Sequence, residues 1–287
     1  MSKRIAVAGA SGVLGQEIIQ LLSAQSYQVR SIIRDPTRRA LVSPYSEEVW
    51  VGDATRPEQL AGCCEGVDIL LTTIGKSLSL FTAEKHSFYE IDYLANLHLL
   101  QEAQRAGVQR IIYVSIFGSE TSPKLRQGWM QERFSHEVMH SGMSHTIIKP
   151  VGTFSGLHDL IIMAKRGVLF TPGDGTPKTN PIHQRDLAQV CIDHLEGGPS
   201  VVEVGGPEIH SRNEVAQQVC RMTVCLGNIH VPLALVKPGL RLVRLLNRNL
   251  HDKLKFFTHI TTHDMVAPQY GHRLFKDYLE EVLKESS

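Results

Sequence analysis

The chain has 287 residues, 42% of them apolar and 21% charged, which suits one large domain with a smaller appendage around a real buried core. Thirty basic and 29 acidic side chains leave a net charge of +1, so no global field favours nucleic acid or an acidic partner. The five cysteines, Cys63, Cys64, Cys191, Cys220 and Cys225, include no Cys-x-x-Cys pair, which argues against a disulfide framework and against a zinc site. Free thiols fit a reducing compartment, and the expectation is a cytoplasmic protein. An apolar strand begins almost at Met1, so no signal peptide is expected, and no apolar run approaches the ~18 residues of a membrane helix.

Taken in order, the first half alternates. Arg4 to Ala8 reads as a strand, and Val13 to Ala24 has apolar residues at helical spacing. Gln28 to Ile33, Val49 to Val51 and Val67 to Thr73 read as further strands. Leu94 to Ala106 reads as a helix closed by Gly107, followed by strands at Arg110 to Ser115 and His145 to Ile148. Apolar strands between helices predict a Rossmann-type doubly wound parallel sheet in an α/β fold, buried on both faces. The second half is less regular: a turn-rich loop at Thr171 to Pro177, helices at Gln184 to Leu195 and Asn213 to Met222, and a strand at Val201 to Val204. Beyond Val231 the pattern predicts a small, mostly helical C-terminal cap. The expected division is a dinucleotide-binding domain over 1–206, with 151–180 contributing to the substrate cleft, and a cap over 207–287.

Gly9-Ala10-Ser11-Gly12-Val13-Leu14-Gly15 lies between the first strand and the first helix. Gly9 permits the tight turn, Gly12 admits a pyrophosphate close to the backbone, and Gly15 lets helix and strand pack. The helix N-terminus then favours the phosphates' charge. Where an NAD site usually carries an acidic residue after the second strand, this chain has Arg34, with Arg38 and Arg39 close behind. Arginine forks suit a 2′-phosphate, so the expected cofactor is NADP, with Asp35 keeping NAD open.

Together with Gly52-Asp53-Ala54-Thr55, Ile91-Asp92-Tyr93, Asn96, Thr146-Ile-Ile-Lys149-Pro150, Asn180-Pro-Ile-His183 and Val204-Gly-Gly-Pro207, these motifs give a chain that resembles the atypical short-chain dehydrogenase/reductases. The resemblance is to their NmrA-like NAD(P)-binding group, and it spans about Arg4 to Gly206. It implies that Asp53, beside Ala54, bonds the adenine. It implies that Thr73, Ile74 and Gly75 run along the ribose and diphosphate. Asn96 would stand behind the site, Ser115 near the nicotinamide, and Lys149 and Pro150 at its pocket.

One part of the pattern breaks. The wider group carries Tyr-x-x-x-Lys as its acid, but the helix expected near Gln127 to His140 has no such pair. Trp129 and Arg133 have the spacing without the chemistry. Candidate catalytic groups are therefore Ser115, His136, Lys149 and His183. The leading expectation is an NADPH-dependent oxidoreductase for a small quinone-like or carbonyl substrate. The alternative is a non-catalytic NADP-binding redox sensor or scaffold, for which a protein partner stays open. An isomerase or dehydratase, which needs the same acid–base pair, ranks last.

Two C-terminal features are less specific. Lys237, Arg241, Arg244 and Arg248 share one helical face and read as a solvated cationic face on a packing helix, ahead of a membrane-surface helix. His259, His263 and Asp264 fall in a threonine-rich stretch that argues against a regular helix and reads as a lid without a metal.

Overall fold

The computed structural model describes residues 2–82, 85–119 and 125–285. The chain runs β1 (Arg4–Ala8), α1 (Val13–Ala24), β2 (Gln28–Ile33), α2 (Arg39–Val42), β3 (Glu48–Val51) and β4 (Ile69–Thr72). After these come α3 (Asn96–Arg105), β5 (Arg110–Val114), α4 (Arg126–Met139), β6 (Ser144–Pro150), α5 (His158–Lys165), β7 (Leu169–Pro172) and β8 (Lys178–Thr179). The remainder is α6 (Gln184–Asp193), β9 (Val201–Val204), β10 (His210–Ser211), α7 (Arg212–Arg221), β11 (Asn228–Val231), α8 (Leu233–Leu246), α9 (Arg248–Thr262) and α10 (Phe275–Glu285).

Seven strands form one sheet in the order β3-β2-β1-β4-β5-β6-β9, and the pairs from β3 to β6 are all parallel. This is the expected Rossmann-type α/β architecture with a mostly helical C-terminal portion. Chain order reverses between β1 and β4, the switch point beside which ligands bind in such sheets. The strands are apolar on both faces because helices cover both: Ile5, Val7, Ile32, Leu70, Ile111 and Ile147 are all buried.

By contacts the chain divides into two units. One holds Met1–Lys76, His86–Lys149 and Gln184–Val202. The other holds Ser77–Lys85, Pro150–His183 and Glu203–Ser287, with its own core around Phe154, Leu169, Val219, Phe275 and Leu279. Within this C-terminal unit, the capping box of Ser211 and Glu214 starts α7 by satisfying orphan N–H groups reciprocally.

Three expectations need correction. The threonine-rich stretch is helical: α9 runs through Thr262, because the hydroxyls of Thr258, Thr261 and Thr262 each bond a carbonyl four residues back, at 2.8, 2.9 and 2.7 Å. Their polar groups are thus satisfied inside the helix rather than competing with it. Cys220 and Cys225 are joined in a disulfide at the end of α7, while Cys63, Cys64 and Cys191 are free and buried. The basic stripe is also divided, since the helix breaks at Asn247, whose side chain caps α9. Lys237, Arg241 and Arg244 lie on α8 and Arg248 opens α9. No helix among the described residues is long and apolar enough to cross a membrane.

Candidate functional site

The glycine turn has the shape its sequence requires. Gly9 sits at φ +82°, a left-handed conformation, and a Cβ there would come within 2.7 Å of Thr73 Oγ1. A Cβ on Gly15 would lie 2.2 Å from the Gly9 carbonyl, so any side chain would force α1 away from the turn. Gly12 is the N-cap of α1 and offers no side-chain acceptor, and no acidic residue occupies the first turn. The helix N–H groups and the positive end of the dipole are therefore left for an external anion. Ala10 is buried beneath the turn, with Ser11 half-buried and Val13 exposed at its rim. Leu14 is half-buried on α1. These residues fit a dinucleotide diphosphate.

Around that cradle the strand ends converge. Thr73 N–H donates to the Ala8 carbonyl at 3.0 Å, which brings the 73–75 segment beside Gly9. Gly75 faces Asp92, whose Oδ1 would lie 3.6 Å from a Cβ at that position. Arg34 and Arg38 are exposed past the end of β2. Asp35, equally exposed, accepts at Oδ1 from the Thr37 N–H and hydroxyl on its own loop at 2.9 and 2.7 Å. Those bonds hold its carboxyl below the usual carboxylate range. Asp53 makes the same turn with Thr55, at 2.9 and 2.8 Å. Partial burial opposes its ionisation, but the Thr55 bonds and the nearby Arg34 charge outweigh that and depress its pKa. Ala54 is buried, and its carbonyl contacts His98 Nδ1 at 2.9 Å.

A second feature was not visible in the sequence. Residues Tyr89–Ala95 form a π-helical turn ahead of α3, and it carries Asp92 into the interior. Asn96, fully buried, ties this turn to β4. Its Oδ1 accepts from Thr72 Oγ1 at 2.7 Å, and its Nδ2 donates to the Ile74 carbonyl at 3.0 Å. Asp92 accepts from Gln131 Nε2 at 2.9 Å, and Gln131 Oε1 accepts from Ser115 Oγ at 3.3 Å. Burial dominates the Asp92 carboxyl and raises its pKa to about 7, opposed in part by the Gln131 bond. Tyr113, also in this interior, is pushed well above its ordinary value by burial and then by the Asp92 charge.

Lys149, the penultimate residue of β6, is buried, with Nζ 3.2 Å from Glu132 Oε2, an oxygen that also accepts from Ser119 Oγ at 2.7 Å. The structure thus brings Ser115 and Lys149 into the interior of the N-terminal unit. His136 lies on the same helix as Glu132, with its side chain 63% exposed. His183 belongs to the C-terminal unit, edge-on to Phe154 and Tyr278. Among the buried pairs on α4 with the four-residue separation of the missing Tyr-x-x-x-Lys, Gln127 and Gln131 are both amides. Neither titrates.

Comparison with known proteins agrees with this geometry. A family model described as NAD(P)H-binding matches residues 9–197. The Photosystem II assembly factor Ycf39 of Cyanophora paradoxa is 30% identical over 153 residues, and the match spans 53% of this chain but only 46% of that protein. The protein of the same name from Synechocystis sp. is 23% identical over 267 residues, covering 88% of this chain and 78% of the relative. Among solved structures, the NADPH-dependent quinone oxidoreductase of Escherichia coli complexed with NADPH superposes with a TM-score of 0.71 at 18% identity, covering 97% of this chain and 99% of that one. That likeness shows a shared fold. The extent of the family match, laid over the glycine cradle and the parallel sheet, shows that the chain belongs to the NAD(P)H-binding family, in keeping with its resemblance to the NmrA-like short-chain dehydrogenase/reductases.

Proposed function

We propose that the protein is an NADPH-dependent reductase of small, electron-poor acceptors, quinone-like in preference to simple carbonyls. The observation that carries this reading is the pairing of an intact dinucleotide cradle with amides, Gln127 and Gln131, on the buried face of α4. A carbonyl needs a proton donor as the hydride arrives; neither amide can be one, and the nearby Asp92 carboxyl is engaged by Gln131. A quinone-like acceptor tolerates its absence, because charge spreads over the ring and protons follow from water.

In this reading Gly9, Gly12 and Gly15 admit the diphosphate, and Arg34 and Arg38 bind the 2′-phosphate. Asp35, whose Oδ1 is taken by Thr37, has only Oδ2 left for a ribose hydroxyl. Asp53 and Ala54 flank the adenine, and Thr73, Ile74 and Gly75 line the path of the ribose and diphosphate. The nicotinamide supplies a hydride when bound. Lys149, held by Glu132, orients the nicotinamide end, and Ser115 offers a hydroxyl fixed by Gln131. His183 is reserved for the substrate side. The E. coli neighbour named as an NADPH-dependent quinone oxidoreductase supports the acceptor class.

A second reading has its own support. The same amides suit a protein that binds NADP without turning it over, and relatives named as assembly factors match over most of the chain. Titration with NADPH and NADH, followed by a quinone panel in the same cuvettes, separates the two. Turnover supports the reductase, and tight binding without turnover on any quinone supports the scaffold.

A further inference from the structure

The C-terminal unit contains a pocket of about 100 Å³ between α5, β7, α7 and α9. Its walls are apolar, with Leu157, Leu160, Val215, Phe256 and Ile260 among them. Three charged side chains also line it: Asp159, Arg212 and Lys253. Two of the three are committed to one loop. Lys253 Nζ donates to the carbonyls of Ser79 and Thr82 at 2.5 and 2.8 Å. Asp159 accepts from Ser79 Oγ at 2.6 Å and from the Leu80 N–H at 2.7 Å.

Arg212 is different. Its Nε is buried and has no hydrogen-bond partner among the described residues. Burial pulls its guanidinium down to about 10, and the Asp264 charge only partly offsets this. A buried Nε–H without an acceptor is costly, and a planar acceptor such as a carboxylate satisfies it together with the neighbouring arm of the guanidinium fork. We propose that this pocket binds a small apolar monoanion, its carboxylate-type head on Arg212 and its hydrocarbon body against the α5 and α9 walls. The proposal is independent of the dinucleotide reading.

Calorimetric titration of the full chain with octanoate and with 1-octanol, no nucleotide present, tests it. Octanoate should bind at least tenfold tighter than octanol. Arg212→Met should erase that preference while leaving octanol affinity in place, which also reports a folded pocket. Ile260→Trp, filling the pocket from α9, should remove both. Equal affinity of the two ligands for the native chain, absence of binding, or a preference that survives Arg212→Met would overturn the proposal.

A separate observation concerns α8. The helix has no buried residue, and Leu235, Leu242, Leu245 and Leu246 are 67, 61, 84 and 80% exposed. At 3.6 residues per turn these four fall within about 100° of one another. Val236, Leu240 and Val243, all half-buried, lie on the opposite side. Lys237, Arg241 and Arg244 are exposed along one edge. Between Glu214 and Asp252 the chain carries Arg221, Lys237, Arg241, Arg244 and Arg248 and no acidic residue. An outward apolar face edged by cations fits an anionic lipid surface. A second copy would bring like charges together. We infer that α8 lies on anionic membrane surfaces.

Co-sedimentation with phosphatidylglycerol–phosphatidylcholine vesicles should recover the protein, and phosphatidylcholine vesicles alone should not. Raising the salt should weaken recovery, and Leu245→Glu/Leu246→Glu should abolish it without changing the melting temperature. Absence of recovery on the anionic vesicles, or a dimer in light scattering that the same double variant dissociates, would refute the inference.

Discussion

Gln131 spans the interior between Asp92 and Ser115, with its Nε2 2.9 Å from the Asp92 carboxylate. That bond fixes the amide's orientation, so its oxygen is the end that receives the Ser115 hydroxyl. A serine at a strand end is thereby coupled through one neutral side chain to a carboxyl shifted by burial to about 7.

The Asp92 shift has a definite sign in stability. Its folded value of about 7 lies above the ordinary 3.8, so the folded state holds the proton more tightly than the unfolded chain. Stability should therefore fall as pH rises from about 4 to about 7, and the loss should be complete above that range. Asp92→Asn keeps an oxygen for Gln131 and removes the titration. Urea unfolding across this pH range should show a flatter profile in the variant.

The arginines past β2 should decide cofactor choice. A hydrogen bond to a charged group is worth roughly 1.5–3 kcal/mol, or about tenfold to a hundredfold in affinity. Arg34→Ala should weaken NADPH binding by about that factor and leave NADH within twofold, as read by fluorescence titration.

The glycine turn predicts a structural cost. Gly15→Ala places a methyl group against the Gly9 carbonyl and the backbone of Ala10. Overpacking of this kind costs about 1–3 kcal/mol. Thermal unfolding should show the loss, and NADPH affinity should fall with it.

Single substitutions should separate the candidate catalytic groups. Lys149→Met removes the cation held by Glu132, and Ser115→Ala removes the hydroxyl held by Gln131. Each should lower quinone turnover by up to about a hundredfold, the scale of a misplaced reacting group. His136→Ala, at an exposed position, should leave turnover within twofold.

Much of the N-terminal unit was legible because its signals are local. The Gly9–Gly15 turn, the apolar strands and the Arg34 position each follow from a few adjacent residues. The interior cluster was not legible in the same way. Asp92 reaches it through a π-helical turn, a departure from 3.6-residue spacing that periodicity does not reveal. Gln127 and Gln131 have no titrating chemistry to draw attention, and only burial marks them. In the C-terminal unit, the threonines of α9 read as helix breakers until their hydroxyls are seen bonding the helix's own carbonyls. The Cys220–Cys225 bond joins residues only five apart, and the odd cysteine count concealed it.

The most direct test of the account is a fluorescence titration of the native chain with NADPH and NADH, continued by adding a quinone and following NADPH oxidation. The account predicts that NADPH binds at least tenfold tighter than NADH and is oxidised when the quinone is added. Tighter binding of NADH, or an NADPH complex that no quinone discharges, would contradict it.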